Sequence, residues 1–171
     1  MAETKTKSGE RKMKMTIACV GKIKEKFYTM AVDEYVKRLS AYANIEIKQV
    51  EDEKTPDNAS PAQEEQIKNT EAQRLMKVIN SSSYVITLDI GGKQLDSVEL
   101  SRFIDDTLTR GSSHLTFVIG GSLGLGAEVK KRADFSLSFS KMTFPHQLMR
   151  VILLEQLYRA QRISHNQPYH K

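Results

Sequence analysis

The hydrophobic and polar positions of this chain alternate between strand and helix patterns along nearly its whole length. Runs such as MKMTIACV and YVITLDI are largely apolar, as in buried strands, whereas Phe27, Met30, Ala31 and Tyr35 recur at helical spacing. The pattern predicts strands over 13–20, 44–50, 84–90, 114–119 and 135–139, and helices over 27–42, 61–80, 97–111, 127–132 and 145–163.

Two of the predicted helices begin with sequences that favour an N-terminal cap. Ser60 is followed three residues later by Gln63, and Asp96 stands three residues before Glu99. In such a capping box, each side chain bonds a free backbone N–H at the start of the helix. The GGK tripeptide at 91–93 predicts a turn that leads into the second capping box.

The order of these elements predicts an α/β protein. Strands that alternate with helices form a mostly parallel sheet with helices on both faces, here as a single domain over 13–171. Residues 1–12 are polar and unpatterned, and we expect them to be an extension outside the fold. Ligands of such sheets bind at the carboxyl ends of strands, which places a site near Leu88, Gly120 and Phe139.

The composition sets the class of protein and its surroundings. With 39% hydrophobic and 27% charged residues, the chain resembles a folded globular protein. Its single cysteine, Cys19, lies in an apolar run and is predicted to be buried, which suits a reducing compartment such as the cytoplasm. No run approaches the roughly 20 apolar residues of a membrane span. A formal charge of +5 permits an RNA partner but does not require one.

The glycine cluster in FVIGGSLGLG follows the fourth predicted strand. Its spacing differs from the G-x-G-x-x-G of dinucleotide sites, and Ala127 and Glu128 stand where a phosphate loop has lysine and a hydroxyl. Two alternatives remain. Either the backbone approaches a neutral or mixed-charge ligand closely, or the glycines serve a turn that binds no ligand.

The segment after the last strand combines polar and apolar residues in an unusual way. Ser140, Lys141 and Thr143 lie among Met142 and Phe144, a mixture that suits an apolar pocket for a small organic cofactor. The alternative is an ordinary strand-to-helix connection in which Thr143 caps the helix. The helix that follows is more apolar than one solvent-facing helix requires, so it can serve both the core and a partner subunit.

The C-terminus offers a second group of candidates. Arg159 and Arg162 share one helical face, and the chain ends in Tyr169, His170 and Lys171. An aromatic ring, an imidazole and a cation are residue types that an RNA-modifying site uses. The alternative is a frayed terminus without a function.

Taken together, FVIGG, LSFSKMTFPHQLMRVILLEQLYRA and the terminal YHK closely resemble the ribosomal RNA large subunit methyltransferase H family. The resemblance covers residues 13–171 and implies a SPOUT-class enzyme with a trefoil-knotted α/β domain. It further implies a homodimer that uses S-adenosylmethionine, without a metal, to methylate N3 of a pseudouridine in helix 69 of 23S ribosomal RNA. The substrate partner is that RNA within the large subunit or the assembled ribosome.

The resemblance also assigns the methyl-donor contacts by position, largely through main-chain groups. They are Leu88, Gly120, Phe139, Ser140, Lys141, Met142, Thr143 and Phe144. Leu123 departs from the more polar residue expected in relatives, which puts one loop contact in doubt.

With the resemblance in place, the C-terminal residues are candidates for catalytic roles. His170 is the candidate base or the residue that orients it, and Tyr169 is placed to stack on or bond the target ring. Arg159 and Lys171 would hold phosphates or stabilise negative charge, with Lys22 and Lys24 extending the RNA contact. The tail is expected to act on the donor bound by the other subunit.

Two rival functions remain open at this point. One is a non-catalytic RNA-binding module for ribosome assembly, which would need basic surfaces but no enclosed donor cavity. The other is a methyltransferase of the same class that acts on transfer RNA, because no residue pattern here identifies the RNA.

Overall fold

The computed structural model of the protein describes residues 12–171. The predicted extension over 1–12 therefore lies outside the described residues except for Lys12, whose Nζ donates a hydrogen bond to the carbonyl of Ser40 at 2.9 Å. The strands are β1 (Met13–Val20), β2 (Ala43–Val50), β3 (Tyr84–Gln94), β4 (His114–Ile119) and β5 (Phe135–Ser138). The helices are α1 (Lys26–Leu39), α2 (Pro61–Val78), α3 (Ser97–Thr109), α4 (Ala127–Arg132) and α5 (His146–Ser164).

The five strands form one parallel sheet in the order β2-β1-β4-β3-β5. Helices α1, α3 and α5 cover one face, and α2 and α4 cover the other. Side chains of β1 alternate between the two cores, with Ile17 and Cys19 in the first and Ala18 and Val20 in the second. This alternation confirms the predicted class, a parallel α/β sheet with helices on both faces.

Both predicted capping boxes are present. The hydroxyl of Ser60 accepts from the N–H of Gln63 at 3.2 Å, and the side chain of Gln63 accepts in turn from the N–H of Ser60. Asp96 and Glu99 make the same reciprocal pair, with both bonds at 2.7 Å. These caps fix where α2 and α3 begin.

The prediction of a turn at 91–93 is wrong. Strand β3 continues through both glycines to Gln94, with a bulge between Leu88 and Lys93 where its pairing with β5 shifts register. A Cβ on Gly92 would lie 2.6 Å from the carbonyl oxygen of Ser136. The glycine therefore allows two strands to approach closely. Close approach of strands and a turn both favour glycine, so the sequence pattern does not distinguish them.

The connection from β5 to α5 carries the chain across the sheet. Strand β5 lies at one edge, yet α5 begins beside β1, where the ring of His146 lies 3.5 Å from the position of a Cβ on Gly21. We call residues 139–145 the crossing segment. The trefoil knot that the resemblance implies would involve this same segment.

Arg150 fixes the start of α5 against the end of β1. Its side chain is 1% exposed and donates to the carbonyl oxygens of Val20 (3.2 Å) and Gly21 (2.6 Å) and to the side chain of Gln49 (2.7 Å). Burial lowers the pKa of the Arg150 guanidinium because the charged form loses its hydration. The helix is thus held by hydrogen bonds from a buried cation.

Cys19 is fully buried in β1, and we expect it to be chemically inert in the folded protein. Burial raises the pKa of its thiol to about 11, so very little reactive thiolate exists at pH 8. Mass spectrometry after iodoacetamide treatment at pH 8 should find Cys19 unmodified in the native protein and alkylated in urea. Equal labelling of the native and unfolded protein would contradict this prediction.

Candidate functional site

A cavity of about 680 Å³ lies beside the bulge of β3, where β4 and β5 lead into their following loops. Its walls are the bulged part of β3, the glycine loop (residues 120–126), the crossing segment and the first residues of α5. Seven of the eight donor contacts predicted from the resemblance line it, namely Leu88, Gly120, Phe139, Ser140, Met142, Thr143 and Phe144. Lys141, predicted with them, is exposed and does not belong to the lining.

The glycine loop is both a turn and a cavity wall. The N–H of Gly124 donates to the carbonyl of Gly121 at 3.1 Å, and Gly124 has a φ of +93°, which favours glycine. A Cβ on Gly120 would lie 2.8 Å from the carbonyl carbon of Gly124. The loop therefore folds tightly on itself as a turn while it presents backbone to the cavity, and the close approach of this backbone to a ligand stays a prediction.

Local hydrogen bonds shape the crossing segment. The hydroxyl of Ser138 donates to the carbonyl of Ser140 at 3.1 Å, and the hydroxyl of Ser140 accepts from the N–H of Met142 at 3.0 Å. Helix α5 begins after Pro145 without a side-chain cap, so the capping role considered for Thr143 is absent. The segment presents the side chain of Met142, 72% exposed, at the cavity rim.

Other cavity residues are not among the donor contacts that the resemblance assigns. They are Lys68, Asp89, Ile90, Ile119, Gly121, Ser122, Leu123, Gly124, Leu125, Lys130, Leu137, Ser138, Pro145, His146 and Met149. Asp89 forms an ion pair with Lys130 at 3.4 Å between Asp89 Oδ2 and Lys130 Nζ, so it has a structural partner. Lys68 comes from α2 on the opposite face of the sheet, and no sequence signal connects it with the loops.

His146 lies at the inner end of the cavity. Burial, reinforced by the nearby Arg150 guanidinium, lowers the pKa of its imidazole. Its Nδ1 is buried and has no hydrogen-bond partner among the described residues. A neutral ring with a free nitrogen beside the cavity can offer a polar contact to a ligand.

The C-terminal tail (residues 165–171) folds back onto α5 around Glu155. This carboxylate accepts from Arg159 (Nη2 at 2.6 Å, Nε at 3.0 Å) and from the hydroxyl of Tyr169 at 3.2 Å. Arg159 also lies 4.7 Å from the centre of the Tyr169 ring and donates to Nδ1 of His170 at 3.2 Å. The three predicted catalytic residues are therefore brought together.

Glu155 is the functional candidate that sequence reasoning missed. Its spacing of four residues from Arg159 is a signal, but such pairs are common on helix surfaces. Burial, with hydrogen bonding to Tyr35 and the charge of Glu155, raises the pKa of the Tyr169 phenol to about 12. The ring of Tyr169 also packs edge-on against Tyr158 at 4.9 Å between centres.

The tail and the cavity do not meet within one protomer. Neither Tyr169 nor His170 lines the cavity, and Met149 is the last residue of α5 that does. Glu155, which holds the tail, lies six residues further along, about 9 Å on the helix axis. The tail packs on the side of α1, where Tyr42 bonds the side chain of Gln167.

Of the basic residues predicted to contact RNA, Lys22, Lys24 and Lys171 are exposed, whereas Arg159 is half-buried and bonded to Glu155. Lys22 and Lys24 follow β1, and the backbone N–H of Lys24 donates to the side chain of Gln147 at 2.9 Å. This bond places their turn beside the start of α5, at the same end of the sheet as the cavity. Lys171 is exposed at the end of the tail.

Comparison with known proteins assigns this arrangement to a family. A family model described as a predicted SPOUT methyltransferase matches residues 13–170. The chain belongs to the SPOUT methyltransferase family. The predicted fold class and the predicted enzyme class are thereby confirmed, and membership of this family implies S-adenosylmethionine as the methyl donor.

Individual relatives are similar over nearly the whole SPOUT chain. A ribosomal RNA large subunit methyltransferase H from Clostridium botulinum (strain Alaska E43 / Type E3) is 57% identical over 159 residues, which are 93% of this chain and 100% of that protein. A protein of the same name from Clostridium tetani (strain Massachusetts / E88) is 55% identical with the same coverage. These relatives confirm the family resemblance seen in the sequence.

A solved structure shows a weaker similarity to this chain. A probable methylase family protein from Haemophilus influenzae Rd KW20 superposes with a TM-score of 0.49 at 12% identity, covering 92% of this chain and 70% of that one. A score below 0.5 adds nothing to the assignment.

Residues 12–171 contain neither a membrane-spanning helix nor a cluster of metal-binding side chains. No described helix combines the length and apolar character needed to span a membrane. Within the same residues, no group of three or more His, Cys, Asp or Glu side chains is placed to hold a metal ion.

The position of Glu155 predicts that its charge keeps the tail attached. Glu155→Gln weakens the bonds to Arg159 and Tyr169, and charge-assisted bonds of this kind stabilise by about 1.5–3 kcal/mol. Carboxypeptidase should therefore remove the last three residues about tenfold faster or more, as followed by mass spectrometry. Glu128→Gln, an exposed acid on α4, is the control, and equal rates for both variants would contradict the role of Glu155.

Proposed function

We propose that this SPOUT enzyme transfers a methyl group from S-adenosylmethionine to N3 of a pseudouridine in helix 69 of 23S ribosomal RNA. The observation that supports this proposal most strongly is the cavity at the bulge of β3 and the ends of β4 and β5, lined by residues that carry the family resemblance. The name of the relatives, ribosomal RNA large subunit methyltransferase H, supports the class of RNA. Such an enzyme works in the cytoplasm, where ribosomes are.

The residues of the cavity fit this donor. About 680 Å³ falls within the range of cavities that bind ligands of drug size. Leu88, Phe139 and Phe144 supply apolar walls. The glycine loop supplies backbone N–H and C=O groups at its glycines, beside the side chains of Ser122, Leu123 and Leu125. S-adenosylmethionine combines an adenine, a sulfonium and an amino acid, which a mixed cavity of this kind accommodates.

The donor brings the methyl group already activated on a cationic sulfur. In the transfer, the bond between N3 and the methyl carbon forms while the bond between that carbon and sulfur breaks, and N3 loses its proton to a base or to water. Positioning of the two reactants can supply about 7–11 kcal/mol of the barrier. The chain therefore has to orient a uracil-like ring and favour the loss of its proton.

The hydrogen bond between Arg159 and His170 bears on which of these tasks the imidazole performs. Arginine only donates, so Nδ1 of His170 accepts, and a neutral ring then carries its proton on Nε2. In that form His170 donates to a carbonyl oxygen of the target ring and stabilises the negative charge that forms when N3 loses its proton. This arrangement favours the orienting role over the role of base.

A homodimer would join the tail to a cavity. Phe27 and Met30 on α1 are 61% and 62% exposed, and Leu148, Val151 and Ile152 on α5 are only half-buried. Together they form an apolar surface of the kind that subunits cover. Because no tail residue lines the cavity of its own protomer, we propose that the tail acts on the donor bound by the partner.

The exposed lysines would extend the RNA contact. Lys22 and Lys24 lie at the end of the sheet that holds the cavity, and Lys171 lies beside the proposed catalytic tail. Cations at these positions neutralise phosphates without identifying the sequence. The rival non-catalytic module is disfavoured by family membership, and the rival transfer-RNA substrate by the names of the relatives.

A methyl-transfer assay tests the proposal. With labelled S-adenosylmethionine and ribosomes that lack the modification, we expect one methyl group per ribosome, mapped by mass spectrometry to N3 of a pseudouridine in helix 69. Naked 23S RNA, large subunits and transfer RNA should be assayed in parallel. Transfer to transfer RNA alone, or no transfer to any of these, would contradict the proposal.

The role of His170 predicts a graded series of variants. Loss of one donor that stabilises developing charge lowers kcat by about 10²–10³, so His170→Ala should show a decrease of this size. His170→Gln keeps an N–H donor but no base and should recover part of the rate. His165→Ala, in the same tail but bonded to Gln161 instead of Arg159, is the control. An inactive His170→Gln would point to a base instead.

Mixing two inactive variants tests whether the tail acts between subunits. One variant carries Gly120→Phe, which fills the cavity, and the other carries His170→Ala. If each tail serves the partner's cavity, re-associated mixtures should recover up to about a quarter of the wild-type rate, because half the dimers are mixed and each has one complete site. If each tail serves its own cavity, mixing should restore no activity.

A further inference from the structure

A buried carboxylate lies behind the glycine loop. Glu71, on α2, is 5% exposed, although most of that helix is polar and faces solvent. None of the steps proposed above uses it. Burial of an acid is unfavourable unless something compensates its charge, so its position calls for a physical reason.

The contacts of Glu71 lead directly to the cavity wall. Its Oε2 accepts from the backbone N–H of Glu53 at 3.1 Å. A Cβ on Gly121 would lie 3.0 Å from Oε1 and 3.1 Å from Oε2, so the carboxylate packs against the backbone of this glycine. Because Gly121 itself lines the cavity, a single residue separates the carboxylate from the space proposed for the donor.

No cation among the described residues forms an ion pair with Glu71. Arg74, one turn further along α2, pairs with Glu53, and Lys68, which lines the cavity, pairs with Glu65 at 3.0 Å. The loop after β2 adds Asp52 and Glu53, which are negative. Burial, then the charge of Asp52 and of Glu53, raise the pKa of Glu71 against the opposing effect of the Glu53 N–H and Arg74.

The described cations of the other neighbouring elements form no ion pair with Glu71 either. On α4, which packs on α2, Lys130 pairs with Asp89, and Arg150 of α5 donates to the carbonyl oxygens of Val20 and Gly21. From β1, Val20 contacts the same point of the glycine loop, and that loop itself carries no charged residue. On α5, His146 is held towards its neutral form by burial. The negative charge of Glu71 is thus directed at a cavity wall and balanced only in part.

We propose that Glu71 is the counter-charge of the cationic methyl donor, acting through the backbone of Gly121. This inference rests on the proposed function, because it assumes that S-adenosylmethionine occupies the cavity. An anion in a region of low dielectric attracts the sulfonium at short range. The product, S-adenosylhomocysteine, has a neutral sulfur in nearly the same shape, so the carboxylate favours fresh donor over spent product.

The proposal assigns Glu71 to binding and not to the chemical step. The positive charge on sulfur decreases as the methyl group leaves, so a fixed anion stabilises the bound donor more than the transition state. Loss of the charge should therefore raise the KM for S-adenosylmethionine and leave kcat equal or somewhat higher. A residue that only supported the fold would lower kcat or change neither parameter.

The sign of the pH dependence follows from the same charges. A cation in the cavity favours the ionised carboxylate, so binding of S-adenosylmethionine to the protonated form expels a proton. The affinity for S-adenosylmethionine should fall as the pH drops through the pKa of Glu71. The affinity for S-adenosylhomocysteine should change less, and both ligands share the amino and carboxyl groups that titrate elsewhere.

Calorimetry with both ligands tests the inference. We expect Glu71→Gln to weaken the binding of S-adenosylmethionine about tenfold more than the binding of S-adenosylhomocysteine. The substitution should also remove the pH dependence of the ratio of the two dissociation constants. Glu128→Gln, with the same change of charge on exposed α4, should leave the ratio unchanged. Thermal unfolding should show Glu71→Gln as stable as the parent or more so at neutral pH, because an ionised buried acid is removed.

A measurement on the unaltered protein keeps the test independent of folding. In two buffers with different ionisation enthalpies at mildly acidic pH, binding of S-adenosylmethionine should release more protons than binding of S-adenosylhomocysteine. If the parent protein binds both ligands with equal proton release, the role of Glu71 is wrong while the proposed function stands. An equal loss of affinity for both ligands in Glu71→Gln would show the same. If the parent binds neither ligand, both are wrong.

Discussion

The guanidinium of Arg150 joins the carboxyl end of β1 to the first turns of α5, and the site depends on this contact. The chain leaves the sheet at its edge strand and must return across the strand ends before the last helix can begin. By bonding the carbonyl oxygens of Val20 and Gly21, Arg150 fixes where that return ends. None of the ion pairs among residues 12–171 involves it, so neutral oxygens alone receive its charge.

The crossing segment that Arg150 anchors becomes a wall of the donor cavity. Residues from three strand ends and from α5 then surround one volume, although they are far apart in the sequence. Much of the surface they present is backbone, because glycines keep side chains out of the loop after β4. A cavity of this kind recognises a ligand through shape and peptide groups, which suits a donor that needs positioning more than chemical activation.

Charge is distributed unevenly around this cavity. Glu71 lies behind one wall without an ion-pair partner, while the predicted catalytic groups of the tail are held at a distance by Glu155. One carboxylate therefore lies behind the proposed donor cavity, and the other organises the residues proposed to meet the RNA. Because the two proposed sites do not meet within one protomer, the proposed active site would need a second subunit to be complete.

The sequence pattern predicts the ten helices and strands of residues 12–171, both capping boxes and the family, because each of these depends on local periodicity or on a contiguous motif. It failed at Gly92, where a turn and a close approach of two strands require the same residue type. It also missed Glu71 and Lys68, which reach the loops only because α2 packs beneath them, and it placed the exposed Lys141 with the cavity residues by position alone. The tertiary structure decided which side chains share a volume, since burial and the distance between remote charges arise only when the sheet and its helices come together.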